Sequence, residues 1–366
     1  QSFIVSKKKE GEIYKNRPVN AEVRILDLNF SEEDKQININ LKVKAENLEQ
    51  GKKIPDYGTR AKKNSEDVWR RKEDMNMSSY YFQADAAYSM EIVYTDLAGN
   101  TAVYTPAYFT VDKTCPTGSI RAQKLGFWTK FLETITFGLF SQTEVKVEIR
   151  GNDHTSPIYP VECACFHSRP TREELEEYQD WRKAEDNMPG YAEYFADPDT
   201  QFVICSRVTD YAGNCEYFSS DGIIADSTSP GPKIAVTALN RPQNGIFKED
   251  VVLQIQAEDP KVGDTYSGLE CVWYTVTAEG NVTAEQSTEL FRHTGERIQG
   301  NKSYKQTVTV PAEVYNSSRV KVQAFARDFA GNTGKSEITE LKIDVTDPLI
   351  TVSWDDQKGV NGTYYK

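Results

Sequence analysis

Apolar and polar residues alternate in short runs along most of this chain. In QININLKVKA, Ile37, Ile39, Leu41 and Val43 alternate with Asn38, Asn40 and Lys42. Ahead of Asp210, Phe202, Ile204 and Val208 fall on one face, with Val203, Cys205 and Arg207 on the other. Val251, Leu253, Ile255 and Ala257 repeat the pattern in EDVVLQIQAED, as do Val320, Val322, Ala324 and Ala326 further on. Successive side chains of a strand point to opposite faces of its sheet, so a period of two marks half-buried strands. The pattern predicts an all-β chain.

Two stretches break the alternation. GFWTKFLETITFG places Trp128, Phe131, Leu132 and Ile135 at helical spacing between Gly126 and Gly138. That predicts either a short helix closing one end of a domain or an exposed aromatic docking patch. TREELEEYQDWRKAED opens with Thr171 and Glu174 at capping-box spacing and sets Leu175, Tyr178 and Trp181 along one face. It predicts a helix, either packing its aromatic stripe on a sheet or standing out as a recognition arm, because binding concentrates in insertions on a rigid scaffold. The polar, lysine-rich stretch from Gly51 to Ser79, with one tryptophan at Trp69, predicts a loop or an edge strand.

The alternating runs are punctuated by a recurring motif. DLAGN at Asp96 to Asn100 returns as DYAGN at Asp210 to Asn214 and as DFAGN at Asp328 to Asn332. Sixteen residues after each leading Asp comes a second signature: DKTCP from Asp112, DSTSP from Asp226, DVTDP from Asp344. The copies lie 114 and then 118 residues apart while the internal spacing never changes, which defines a tandem array. An Asp before Gly-Asn supplies a side-chain hydrogen bond and a residue that tolerates positive φ, so each first motif predicts a tight hairpin turn. The proline of the second motif marks the end of the last strand, since it cannot donate to a ladder.

DxAGN followed by DxTxP resembles the tandem immunoglobulin-like repeats of large surface proteins from Gram-positive, often gut-dwelling, bacteria. The resemblance covers nearly the whole chain. It implies three tandem immunoglobulin-like β-sandwich domains in an extended array: 1–112, 113–229 with the helical insertion, and 230–347. Residues 348–366 would begin a truncated fourth repeat, NGTYYK echoing GEIYKN near the start, in a segment cut from a longer protein. Tyr88, two residues before Met90, sits as in the tyrosine corner of such domains, with Met where antibodies carry cysteine. SGLECVWYTV aligns with YPVECACFHS, which matches Cys271 to Cys163 and puts Trp273 where these domains keep a core tryptophan.

The resemblance further implies an extracellular location at the bacterial surface or wall and a non-enzymatic role in adhesion to a host protein or glycan. Some such arrays bind host immunoglobulins as superantigens; others bind mucin glycans or matrix proteins. Candidate contact residues are Tyr178, Trp181, Trp128 and Phe131 in the inserted elements, with Trp69, Tyr80 and Tyr81 as platforms for a glycan. A purely structural stalk presenting a distal binding domain is the second reading, and an accessory module of an enzyme the third. The repeats differ in length and decoration, which favours recognition over spacing.

Composition narrows the partners. The net charge is −12, and residues 113–226 carry −8 of it, with 11 basic and 19 acidic residues. That balance argues against nucleic acid and anionic membrane surfaces. No stretch reaches the roughly 20 apolar residues of a membrane span. Catalytic motifs are missing: no nucleophile elbow, no phosphate-cradling Gly loop, no HExxH, and His154, His167 and His293 are scattered.

In a sandwich of this kind the first strand starts at the same end as the last hairpin turn. Cys115 would then meet Cys215 across a domain joint, and Cys163 or Cys165 would neighbour Cys205 within one sheet; Cys271 has no obvious partner. Buried free thiols are the alternative. CAC is too tight for the usual zinc spacing. The same topology would bring Asp112 towards Asp210 and Asn214, and Asp226 towards Asp328 and Asn332. Carboxylate and amide oxygens suit structural Ca²⁺, and related adhesin arrays stiffen their joints with calcium; turn hydrogen bonding alone also explains these residues.

Overall fold

The computed structural model describes residues 13–27, 37–44, 70–72, 75–183, 190–237, 241–279, 284–295, 299–352, 358–359 and 362–363. The chain divides into two compact units, 1–227 with 263–265, and 228–262 with 266–366. Strand dominates throughout, and the strands form separate sheets that pair face to face around their own cores.

The first unit holds two sandwiches. In the first, the sheet of Ile13–Lys15, Thr101–Val111, Ala86–Thr95 and Ile37–Lys44 faces the sheet of Val19–Leu26, Met75–Phe82 and Arg70–Lys72. Val23, Phe82, Tyr88, Met90, Phe109 and Val111 fill the space between them. The Tyr88 hydroxyl donates to the Ala84 carbonyl at 2.7 Å, completing the tyrosine corner, and Met90 is buried beside it. In the second sandwich, Tyr191–Ala196, Val145–Asn152, Thr117–Ala122 and Gly126–Trp128 form one sheet. Leu139–Ser141, Ile223–Ala225, Thr200–Thr209, Glu162–Phe166 and Arg182–Lys183 form the other, with Cys215–Ser219 paired to Thr200–Thr209. Ile120, Val147, Ile149, Phe202, Ile204 and Ile223 are at its centre.

The second unit holds one sandwich. Lys233–Val236, Val251–Glu258 and Ser303–Val310 face Ala284–Arg292, Leu269–Ala278 and Ser317–Asp328, the last also pairing Thr333–Lys335 and Thr339–Ile343. A two-stranded hairpin, Lys358–Gly359 with Gly362–Thr363, follows. Trp273 does not occupy the core. Val272, Tyr274 and Val276 point inward, and Trp273 lies half-buried on the outer face, its ring stacked on Phe325 at 5.4 Å. A register shift between Leu269 and Cys271 resets the alternation: Leu269 and Val272 both reach the core, so Cys271 and Trp273 fall on the outer face and the match of Cys271 to the inward Cys163 fails.

The repeated motifs build the same two devices three times. At each turn the Asp carboxylate accepts both the backbone N–H and the side-chain amide of the Asn: 2.7 and 2.7 Å for Asp96, 2.8 and 2.7 Å for Asp210, 2.8 and 2.9 Å for Asp328. The intervening glycines take φ of 88°, 93° and 99°, which a Cβ would oppose. Each last strand then pairs in parallel with a short first strand, Lys15 opposite Val111, Ser141 opposite Ala225 and Phe247 opposite Ile343. The Asp of DxTxP ends that pairing, donating its N–H to Lys15, Ser141 or Phe247.

The helix expected over Gly126 to Gly138 is absent. Gly126–Trp128 is a strand, Trp128 opposite Ile120, and the chain then runs irregularly to Phe137. Thr129, Thr134, Ile135 and Thr136 are β-branched and disfavour a helix. The three-to-four spacing arises instead because the segment crosses between two apolar environments. Trp128 packs on the inner core, while Phe131, Ile135 and Phe137 pack on a second cluster outside the sheet.

Candidate functional site

That second cluster is what distinguishes repeat two. Thr171 caps the helix Arg172–Glu177, its hydroxyl accepting the Glu174 N–H at 3.2 Å while the Glu174 carboxylate accepts the Thr171 N–H at 2.7 Å. Both partners of the capping box are satisfied. Leu175 is fully buried, and the chain leaves the helix to lay Tyr178 and Trp181 on the outer face of the sheet. Tyr178 meets Phe166 at 5.0 Å and Trp181 edge-on at 5.6 Å. Trp181 in turn carries the Arg207 guanidinium at 4.9 Å, and Arg207 pairs with Glu162 at 2.7 Å. Ala164, Val203, Cys205 and Tyr217 form the floor.

The segment from Phe131 to Phe137 closes the other side of this layer. Leu132 N–H donates to Ser219 Oγ at 2.8 Å, and both the N–H and the hydroxyl of Thr136 donate to Asp221 at 2.7 Å. Arg169 donates to the Leu132 carbonyl and lies over the Phe131 ring. The two insertions therefore form one third layer on a two-layer sandwich. Burying side chains such as Leu175 and Trp181 contributes roughly 1.5–3 kcal/mol each, so this layer is held in place by its own core.

Most of the aromatic candidates are consequently inside. Trp181 is buried, and Tyr178, Trp128 and Phe131 are half-buried. What the layer turns outward is charge: Glu173, Glu174, Glu176, Glu177 and Asp180 are all exposed. Tyr81 is exposed at the end of Met75–Phe82; Trp69 and the side chain of Tyr80 lie outside the described residues. Exposed aromatics that the pattern did not single out are Tyr104 and Tyr108 in repeat one and Phe127, Tyr159 and Phe195 in repeat two.

The joint between the first two sandwiches brings Asp112, Asp210 and Asn214 together as expected. Asn214 Nδ2 donates to the Asp112 carbonyl at 2.9 Å and to Asp210 Oδ2 at 2.7 Å. Asp153 joins them, and one carboxylate oxygen from each of Asp112, Asp153 and Asp210 lies within 4.8 Å of the others. Asp112 accepts Ser156 Oγ at 2.6 Å, and Asp153 accepts the N–H groups of Thr155 and Ser156. Burial, reinforced by the charge of Asp153 and resisted by the Ser156 bond, pushes the Asp112 carboxyl up to about 7. Burial also raises Asp210 against its two bonds from Asn214. Three hard oxygen donors that repel one another fit a divalent cation such as Ca²⁺. Asp226 closes the last strand of the first unit, whereas Asp328 and Asn332 form the turn of the second; each serves its own unit as a hairpin or strand terminator.

The six cysteines are free thiols. Cys163 or Cys165 cannot bridge to Cys205. The strands are neighbours, but the register sets Cys205 opposite Ala164, so its side chain lies in the outer layer while Cys163 and Cys165 face the inner core. Cys115 does meet the residue proposed for it: the Cys215 backbone N–H bonds to its sulfur.

No protein-family model matches the sequence, and no curated protein matches it. Among solved structures, a 1.5-MDa bacterial ice-binding adhesin is similar at 13% identity, over 92% of this chain and 95% of that one, with a TM-score of 0.30. Fibronectin(III)-like modules of Clostridium thermocellum CbhA are similar at 11%, over 59% and 88%, with a TM-score of 0.24. Salmonella alpha-2-macroglobulin is similar at 10%, over 91% of this chain and 22% of that one, with a TM-score of 0.18. No helix among the described residues is long and apolar enough to cross a membrane.

Proposed function

We propose that this chain is a non-enzymatic recognition segment of a repetitive, extracellular bacterial surface protein, and that repeat two carries its binding face for a host protein. The observation behind the reading is the third layer. A sandwich that only spaces a distal head needs no such layer, and repeat three has the same sheet without the inserted helix. The exposed acids of that layer select a partner with a basic patch, because complementary charge steers encounter and excludes like-charged surfaces. Immunoglobulin and matrix proteins are the first partners to test, with mucin glycans as the contrasting class.

Passing the full chain over immobilised serum immunoglobulin, matrix proteins and mucin tests this reading. Retention on a protein partner that weakens as salt rises from 50 to about 500 mM is the expected result. Retention on mucin alone would transfer the site to exposed aromatics such as Tyr81, and retention on none would favour the stalk.

A further inference from the structure

We infer that Cys115 and Cys215 form a reversible dithiol–disulfide pair that staples the linker leaving the first sandwich to the last hairpin of the second. Cys115 lies three residues beyond Asp112, and Cys215 directly follows Asn214, whose side chain already holds the Asp112 carbonyl at 2.9 Å. The two segments are thus pinned side by side one residue before Cys215 and three before Cys115. The Cys215 N–H in contact with the Cys115 sulfur fixes the second approach. A sulfur against a neighbour's backbone amide lies near the base of that neighbour's side chain, so the bridge calls for side-chain rotation that brings the two sulfurs together.

The pair is also accessible, with Cys115 the one exposed thiol among the six. Cys115 is exposed and Cys215 half-buried, while Cys163 and Cys205 are buried. Around the pair stand Asp210 and Glu216, whose charges disfavour a thiolate at Cys115; Arg207 and the hydroxyls of Thr209 and Tyr217 favour one at Cys215. Burial holds both thiols above their ordinary range, so exchange is slow at neutral pH and accelerates as pH rises.

The oxidant is a small-molecule disulfide, RSSR. One cysteine, as thiolate, attacks a sulfur of RSSR, forming a mixed disulfide and releasing one RS⁻. The second, as thiolate, then attacks the protein sulfur of that mixed disulfide, forming the Cys115–Cys215 bond and releasing the second RS⁻. Two protein thiols are oxidised, one RSSR is reduced to two thiols, and the two protein protons pass to solvent or to the released thiolates. The bond closes a loop of about 100 residues, the range in which cross-linking constrains the unfolded chain most.

The test equilibrates the full chain with oxidised and with reduced glutathione, blocks remaining thiols, and maps tryptic peptides. Oxidation is expected to link the peptide 114–121 to the peptide 208–233, and reduction to separate them. The melting transition of repeat two should rise on the order of 10 °C on oxidation, and Cys115→Ser should abolish that rise. Because Cys115 is exposed, Cys115→Ser leaves the reduced melt unchanged and isolates the bridge. Glutathione remaining on Cys115 as an unresolved adduct, a link from Cys115 to another cysteine, or a thermal rise that persists in Cys115→Ser would each overturn the inference.

Discussion

Repeats two and three each build a sheet of the same kind and treat its outer face differently. Both carry the same ion pair across neighbouring strands, Arg207 with Glu162 at 2.7 Å and Arg327 with Glu270 at 2.8 Å. In repeat three the arginine stays more open to solvent, and Trp273 and Phe325 cover the face with a single stacked pair. In repeat two Trp181 lies over the arginine, and two insertions bring a helix, a loop and six or more apolar side chains onto the face. The framework is unchanged, so the layer was added to a stable sandwich without being needed to complete it. That separation is the ground on which we propose the layer for recognition.

The comparison can be broken most strongly at its two tryptophans. Trp181→Ala should cost about 3–5 kcal/mol in chemical denaturation of the first unit, since it opens a cavity under the helix. Trp273→Ala, on a half-exposed face, should cost about half of that in the second unit. Equal costs would mean that the layer of repeat two is no better packed than a bare sheet.

The joint offers the next largest effect. Asp112 holds its proton to about pH 7 when folded and to near 3.9 when unfolded. Between those limits the folded state binds more protons, so the first unit should gain stability as pH falls from 7 to 4, on the order of 2–4 kcal/mol in the presence of chelator. Asp112→Asn should flatten that slope in pH-resolved melts. Calcium acts in the opposite direction on the same carboxylates. At about a hundredfold excess over its dissociation constant it should stabilise the first unit by roughly 2.7 kcal/mol, and identical melting curves with calcium and with chelator would remove the cation from the joint.

Smaller differences separate the turns. Asn214→Ala removes bonds to Asp210 and to the Asp112 carbonyl and should cost about 2 kcal/mol, whereas Asn100→Ala at the exposed first turn should cost about 0.5–1 kcal/mol. Parallel denaturation of the two variants checks the ranking.

Much of this was legible in the sequence because it rests on local rules. Alternation gave the strands, the DxAGN spacing gave the turns, and Thr171 with Glu174 gave the helix start. What local rules could not reach was the third dimension of the insertions. Helical spacing in GFWTKFLETITFG reflected a chain crossing from one core to another, and an arm that reads as amphipathic can be docked as readily as free. Trp273 was misplaced by a bulge, which no residue pattern announces. Cys205 was placed on the right strand and the right face, but its pairing with Cys163 or Cys165 depended on the register, which sets it opposite Ala164 and leaves those two cysteines on the other face. Asp153 was missed although a signal existed: Asp27, Asp153 and Asp259 each directly follow a strand in the same position of the sandwich. Their distances to the following DxAGN motif are 69, 57 and 69 residues, and that irregularity hid the repeat.

Binding by the full chain, compared with the triple variant Glu173→Lys, Glu176→Lys and Glu177→Lys, tests the assignment of the third layer most directly. All three acids are exposed, so the variant should fold with an unchanged melt. Titrated against whichever host protein retains the wild type, it should bind at least tenfold more weakly, with most of the loss disappearing at high salt. Undiminished affinity in the variant would contradict the account and place recognition elsewhere on the array.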